Sequence, residues 1–167
     1  TTSVAITTSA NVAFHLAGAP GGSGAEWSNS YIDDVLVLKG YAANTSSFTP
    51  PTSPLTTTVS QTRNDLAVLY LPFDDGLEDK ARNHPVTANG DAAISATQAK
   101  FGGKSLYLDG TGDYLIIPHS GEFNFGGSSF SIEAWVYPTA LNSNQGVFSK
   151  WGGNGHKSVK LTLNSSG

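Results

Sequence analysis

The chain has 167 residues, 38% of them hydrophobic and 10% aromatic, enough for one modest core and too few for two complete ordinary domains. Only 13% are charged and the net charge is −4, so no positive field exists to hold a phosphate backbone, and nucleic acid is not an expected partner. No apolar run approaches the roughly 18 residues that a membrane span needs, and membrane insertion is not expected either.

Cys and Met are both absent. Without Cys there are no disulfides, thiolate metal sites or Cys nucleophiles, so stability rests on burial and backbone pairing. The chain opens Thr1-Thr2-Ser3 and its last strand-like run stops at Gly167 without a closing element, which reads as a piece of a longer protein. Nineteen Gly and eight Pro make the composition turn-rich, and no stretch repeats apolar residues at helical spacing. In chain order, β-branched and aromatic runs bounded by turn residues predict strands at about 12–16, 31–39, 67–72, 105–108, 114–118, 130–137, 146–150 and 159–163. These specify an all-β fold, an antiparallel β-sandwich.

Between the second and third predicted strands, Pro50, Pro51 and Pro54 lie among Thr and Ser, which removes ladder donors and holds the backbone extended. Residues 50–65 therefore read as a linker between a short segment, 1–49, and a longer one, 66–167. The first holds too few strands to fold alone and must pack on something outside itself.

Carboxylates are the first candidates for chemistry. In the run Tyr31-Ile32-Asp33-Asp34-Val35-Leu36-Val37-Leu38, period two puts Asp33 and Asp34 on opposite faces, so one is directed toward the packed side. A buried carboxylate must be hydrogen-bonded, paired or metal-bound. Phe73-Asp74-Asp75-Gly76-Leu77-Glu78-Asp79 gathers four carboxylates after a strand, the oxygen donors that a hard dication takes, although the EF-hand spacing is missing. Calcium held by Asp74, Asp75, Asp79 and Asp34 is one reading, and a solvated acidic turn with self-satisfied hydrogen bonds is the other. Glu133 stands alone in its predicted strand, with no second acid two residues away, so the paired carboxyls of a glycosidase are missing and no catalysis is expected.

His15, His84, His119 and His156 are scattered without zinc-site spacing, and neither a G-x-S-x-G nor a P-loop pattern occurs. Asn44-Thr45-Ser46 and Asn164-Ser165-Ser166 are glycosylation sequons. Trp151, followed by Gly152, Gly153, Asn154, Gly155 and His156, puts an indole at the mouth of a loop rich in hydrogen-bonding groups, a surface suited to stacking on sugars or docking protein. Trp27, between Glu26 and Asn29, is a second such place. Either Trp can instead cap a sandwich edge, and Trp135, inside a strand, reads as a core residue.

Lys100-Phe101-Gly102-Gly103-Lys104-Ser105-Leu106-Tyr107-Leu108-Asp109-Gly110-Thr111-Gly112-Asp113-Tyr114-Leu115, then Phe130 to Pro138 and Val147 to Lys150, resembles the N-terminal half of a laminin-G-like domain of the concanavalin A-like lectin/glucanase superfamily. The run Tyr31 to Ala42, followed by Phe48-Thr49-Pro50-Pro51, resembles the closing strand and exit linker of the same family. The resemblance implies a jelly-roll sandwich and a division into 1–49, the C-terminal strands of one laminin-G-like domain, 50–65, a linker, and 66–167, the N-terminal part of a second. The ending precedes the beginning: the chain is then either a window onto a tandem array or two pieces that complete one another.

Within that family the resemblance implies a non-catalytic module of a larger repetitive surface or virion protein, such as a phage tail fibre. It would bind glycan or protein through Trp151, Asn154, His156 and Trp27. Its expected partners are neighbouring copies or domains of the same protein and a cell-surface glycan, and its expected location is extracellular, cell-surface or virion. The alternative is a purely architectural repeat with no ligand of its own.

Overall fold

The computed structural model describes residues 12–18, 26–43, 46–55, 66–141, 144–151 and 157–164, with Trp151, Lys157 and Ser158 described for their backbone alone. Its strands are β1 (Phe14–Leu16), β2 (Asn29–Lys39), β3 (Ala67–Leu71), β4 (Thr87–Asn89), β5 (Ala93–Ser95), β6 (Ser105–Asp109), β7 (Tyr114–Ile117), β8 (Phe130–Pro138), β9 (Gln145–Trp151) and β10 (Lys157–Leu163). The one helical element among the described residues is a 3-10 turn, Gly121–Phe123. Every strand read from the sequence is present. The two it did not announce, β4 and β5, are three residues each, too short for alternation to show, and they flank the turn at Gly90 and Asp91.

The strands form two antiparallel sheets, an all-β sandwich. Sheet A runs β10-β9-β1-β7-β4. Sheet B is organised around the long β2. Strand β8 pairs with β2 from Ser30 to Lys39, so β6, at Asn29–Ile32, and β3, at Val35–Leu38, must follow one another along its other edge. Strand β5 extends the sheet beyond β6. The segments on either side of the Pro-rich stretch are interleaved: β1 lies between β7 and β9, and β2 lies between β8 and the pair β6 and β3. Among the described residues, β8 has no partner on its far edge and β10 ends sheet A.

Period-two alternation fills the space between the sheets. Phe14, Leu16, Leu115, Ile117 and Phe148 from sheet A meet Ile32, Val35, Val37, Leu69, Leu71, Leu106 and Leu108 from sheet B, all buried. Phe14 stacks on Phe123 at 5.4 Å and on Phe148 at 6.1 Å. Each fully buried side chain of this size contributes about 1.5–3 kcal/mol relative to exposure.

Strand β2 is kinked where its two aspartates fall. The ladder with β8 shifts register between Asp33 and Leu36, and Asp34 takes a φ of 56°, a left-handed conformation that Asp tolerates better than most residues. Ile32, Val35 and Val37 face the core, leaving Tyr31, Asp33, Leu36 and Leu38 on the outer face. Beyond the kink, Leu36 and Leu38 are fully buried in a second apolar cluster with Ala67 and with Leu55 of the Pro-rich segment. Before the kink the described residues do not cover the outer face in this way.

Candidate functional site

The uncovered half of that outer face is a cleft of aromatic rings. Antiparallel register places Tyr31 opposite both Tyr107 of β6 and Tyr137 of β8, and places Asp33 opposite Trp135. The Tyr31 ring lies 5.0 Å from Tyr107 and 6.3 Å from Tyr137, inclined 59° to the latter. Trp135 meets the Phe101 ring edge-on at 5.8 Å, and the Lys100 ammonium sits 4.4 Å from the centre of the Trp135 ring. Such a cation over an indole face is worth about 0.5–1 kcal/mol when exposed. Tyr31, Trp135, Tyr137 and Lys100 line a cavity of about 250 Å³ together with Asp33, Gln98 and Ser105, while Tyr107 and Phe101 pack beside it.

Asp33 is the polar centre of the cleft. It is 3% exposed, and its Oδ2 accepts the backbone N–H groups of Lys100 at 2.7 Å and Phe101 at 3.0 Å. Its Oδ1 is buried with no hydrogen-bond partner among the described residues. Burial pushes the Asp33 carboxyl above the ordinary carboxylate range, the backbone N–H groups of Phe101, Lys100 and Asp34 pull it down, and the charge of Asp74 raises it further. Ser105 is fully buried and donates its hydroxyl to the Gln98 carbonyl at 2.6 Å.

The neighbouring Asp34 serves the covered half instead. Its Oδ2 accepts the Leu55 N–H, tying the Pro-rich segment to the sheet, and the Tyr70 hydroxyl donates to the same carboxylate. Burial pushes Asp34 up to about 6, and burial with the Asp34 charge pushes the Tyr70 hydroxyl up as well. Asp74 lies against Gly102, whose φ is +61°: a Cβ there would run into Asp74 Oδ1, another buried oxygen without a partner among the described residues. Glycine at 102 is what lets this carboxylate approach the pair on β2.

The four acids of 73–79 are thus dispersed rather than gathered. Asp79 is buried, and its carboxylate accepts backbone N–H groups from Tyr70, Ala81, Arg82 and His84 at 2.9–3.2 Å, together with His84 Nδ1 at 2.7 Å. It holds a turn together with all its acceptor capacity. Asp75 is exposed, and Glu78, also exposed, lies 3.5 Å from Lys80. The one described group whose acidic oxygens lie within 4.8 Å of one another is Asp91, Asp109 and Asp113, which the acidic-loop reading did not include. There Asp113 accepts the Asp91 and Asp109 N–H groups at 2.8 Å each, and Asp109 accepts that of Thr111 at 2.7 Å. Those bonds account for the cluster as a turn staple.

Of the aromatic candidates, Trp27 stacks on Tyr114 at 5.6 Å and packs over Gly18, on sheet A and away from the cleft. The side chain of Trp151 and residues Asn154 and His156 lie outside the described residues. Trp135 departs from the core reading: Ile132, Ala134 and Val136 take the inward positions of β8, and Trp135 is half-buried on the outer face. The signal was available, since an indole flanked by apolar residues at odd spacing belongs to the opposite face. Tyr31, Tyr107 and Tyr137 were visible as strand residues, but their convergence depends on registers between distant segments. No protein-family model, curated protein or solved structure matches the chain.

Proposed function

We propose that the chain is a non-catalytic recognition module of laminin-G-like type, part of a larger extracellular, cell-surface or virion protein such as a tail fibre, and that it binds glycan in the cleft on the outer face of sheet B. The observation that carries this reading is a buried acceptor left open at an aromatic cavity. Asp33 Oδ1 has no partner among the described residues, and an unpaired buried acceptor costs about 1–3 kcal/mol, a cost that a ligand hydroxyl removes. Tyr31, Tyr137 and Trp135 supply ring faces for the C–H surface of a sugar. Glu133 shares the outer face of β8 without a second acid beside it in the strand, which supports binding over hydrolysis.

The test is a glycan array probed with the full chain and with Tyr137→Ser and Trp135→Ala. Tyr137 is 56% exposed, so its loss leaves the fold intact. Binding that is lost or sharply reduced in both variants supports the reading. Binding unchanged in both, or no binding by the parent chain, refutes it.

A specific observation favours a second reading, an architectural repeat. The edge of β8 that no described strand pairs and strand β10 border an apolar cavity of about 300 Å³ lined by Phe48, Pro50, Leu55, Val136, Phe148 and Leu161. Phe48 and Leu161 are 57% and 46% exposed. Neighbouring copies or domains of the same protein would cover such a face.

A further inference from the structure

We propose that the cleft beside Asp33 takes an uncharged, hydroxyl-rich sugar ring and rejects its acidic counterpart. The inference rests on the recognition reading above and names the ligand class of the same site.

Three features set the class. First, the buried polar groups of the lining, Asp33 and Ser105, are acceptors. Asp33 Oδ1 is buried without a partner among the described residues, and the buried Ser105 hydroxyl spends its proton on the Gln98 carbonyl, so both are acceptors. A ligand answers these with O–H donors.

Second, the field on the floor is negative. Asp33 and Asp34 are adjacent and buried, Asp74 stands close enough for its charge to act on both, and a ligand carboxylate would enter against all three. The opposing charge, Lys100, is exposed at the mouth and rests on the Trp135 ring. Water screens it, whereas the buried carboxylates act through a medium of lower dielectric, so repulsion decides inside the cleft.

Third, the size admits a sugar ring. A cavity of about 250 Å³ has room for a hexose and its hydroxyls. The inclined rings of Tyr31 and Tyr137 then offer apolar surface to the ring's C–H face.

The experiment titrates the full chain with methyl hexopyranosides of gluco, galacto and manno configuration and with the matching methyl hexuronosides, which differ only in bearing a carboxylate at C6. Binding is read from backbone amide chemical shifts. The expected result is that at least one hexoside moves the Lys100 and Phe101 amides, which bond Asp33, while its uronoside binds about tenfold or more weakly. Asp33→Asn and Asp74→Asn should each narrow that gap, and Tyr137→Ser should weaken the hexoside without changing the gap. Asp74→Asn and Tyr137→Ser keep the test decisive if Asp33→Asn does not fold. A uronoside that binds as tightly as its hexoside, or a gap that survives Asp74→Asn and Asp33→Asn, overturns the inference while sugar binding in the cleft still upholds the recognition reading. Sugars that leave the cleft amides unmoved overturn both.

Discussion

The outer face of sheet B is divided at the kink in β2, and its halves have opposite fates. Beyond the kink, Leu36 and Leu38 are sealed under Leu55 and the Pro-rich segment, and Asp34 is bonded by Leu55 and Tyr70. Before it, Tyr31, Trp135 and Tyr137 stay partly open to solvent, and Asp33 keeps one oxygen unpaired among the described residues. The two aspartates are neighbours in sequence and both are buried. What separates them is whether the chain supplies the last hydrogen bonds. Where it does, the face is core; where it does not, the face is built for something else to complete.

The largest expected effect lies on the covered side. Leu36→Ala should cost about 2–5 kcal/mol in urea unfolding, as truncations of buried leucines do, with sugar affinity unchanged if the halves are independent. A loss of under about 0.5 kcal/mol would mean that Leu55 does not seal this half.

Next comes the pH dependence of stability. Asp34 is pushed from 3.8 up to about 6 in the folded chain, so the fold binds its proton more tightly than the unfolded chain does. The stabilisation is full below pH 3.8 and is lost as pH rises through 6, a difference of about 3 kcal/mol at 1.36 kcal/mol per unit. Asp33, also raised, adds in the same direction. Denaturant melts between pH 4 and pH 7 should show that loss, and Asp34→Asn should flatten most of it. A stability that rises with pH over this range, in a variant-sensitive manner, would contradict the burial of Asp34.

On the open side, Tyr137→Ser should leave the melting midpoint within about 1 kcal/mol of the parent while reducing sugar affinity about tenfold. Affinity that survives with stability lost would make Tyr137 a covering residue after all. The smallest effect is on binding as a function of pH. An ionised Asp33 accepts a ligand hydroxyl, so affinity should fall as acid protonates its raised carboxyl, and Asp33→Asn should abolish the slope.

Much of this architecture was legible because alternation is a local signal. The inward Ile32, Val35 and Val37 and the outward Leu36 and Leu38 stand in one run, and eight strands announced themselves in this way. The kink was not legible. Strict period two sends Asp33 and Asp34 to opposite faces, while the left-handed Asp34 admits an extra residue, so that one carboxylate fastens Leu55 and the other borders the cleft. The acidic run 73–79 misled through proximity in sequence: four backbone donors claim Asp79, whereas Asp74 approaches Asp33 across the bare Cα of Gly102. The cleft itself comes from strands more than a hundred residues apart at the extremes, Tyr31 and Tyr137, and only the ladder register brings them together.

The most direct test of the division is a map of amide shifts on adding a saturating neutral methyl hexoside to the full chain. The account predicts shifts confined to Tyr31, Asp33, Lys100, Phe101, Ser105 and Trp135 to Tyr137, with Leu36, Leu38 and Leu55 unmoved. Shifts centred on Leu36 and Leu55, or on Trp27 and Tyr114 of sheet A, would contradict it.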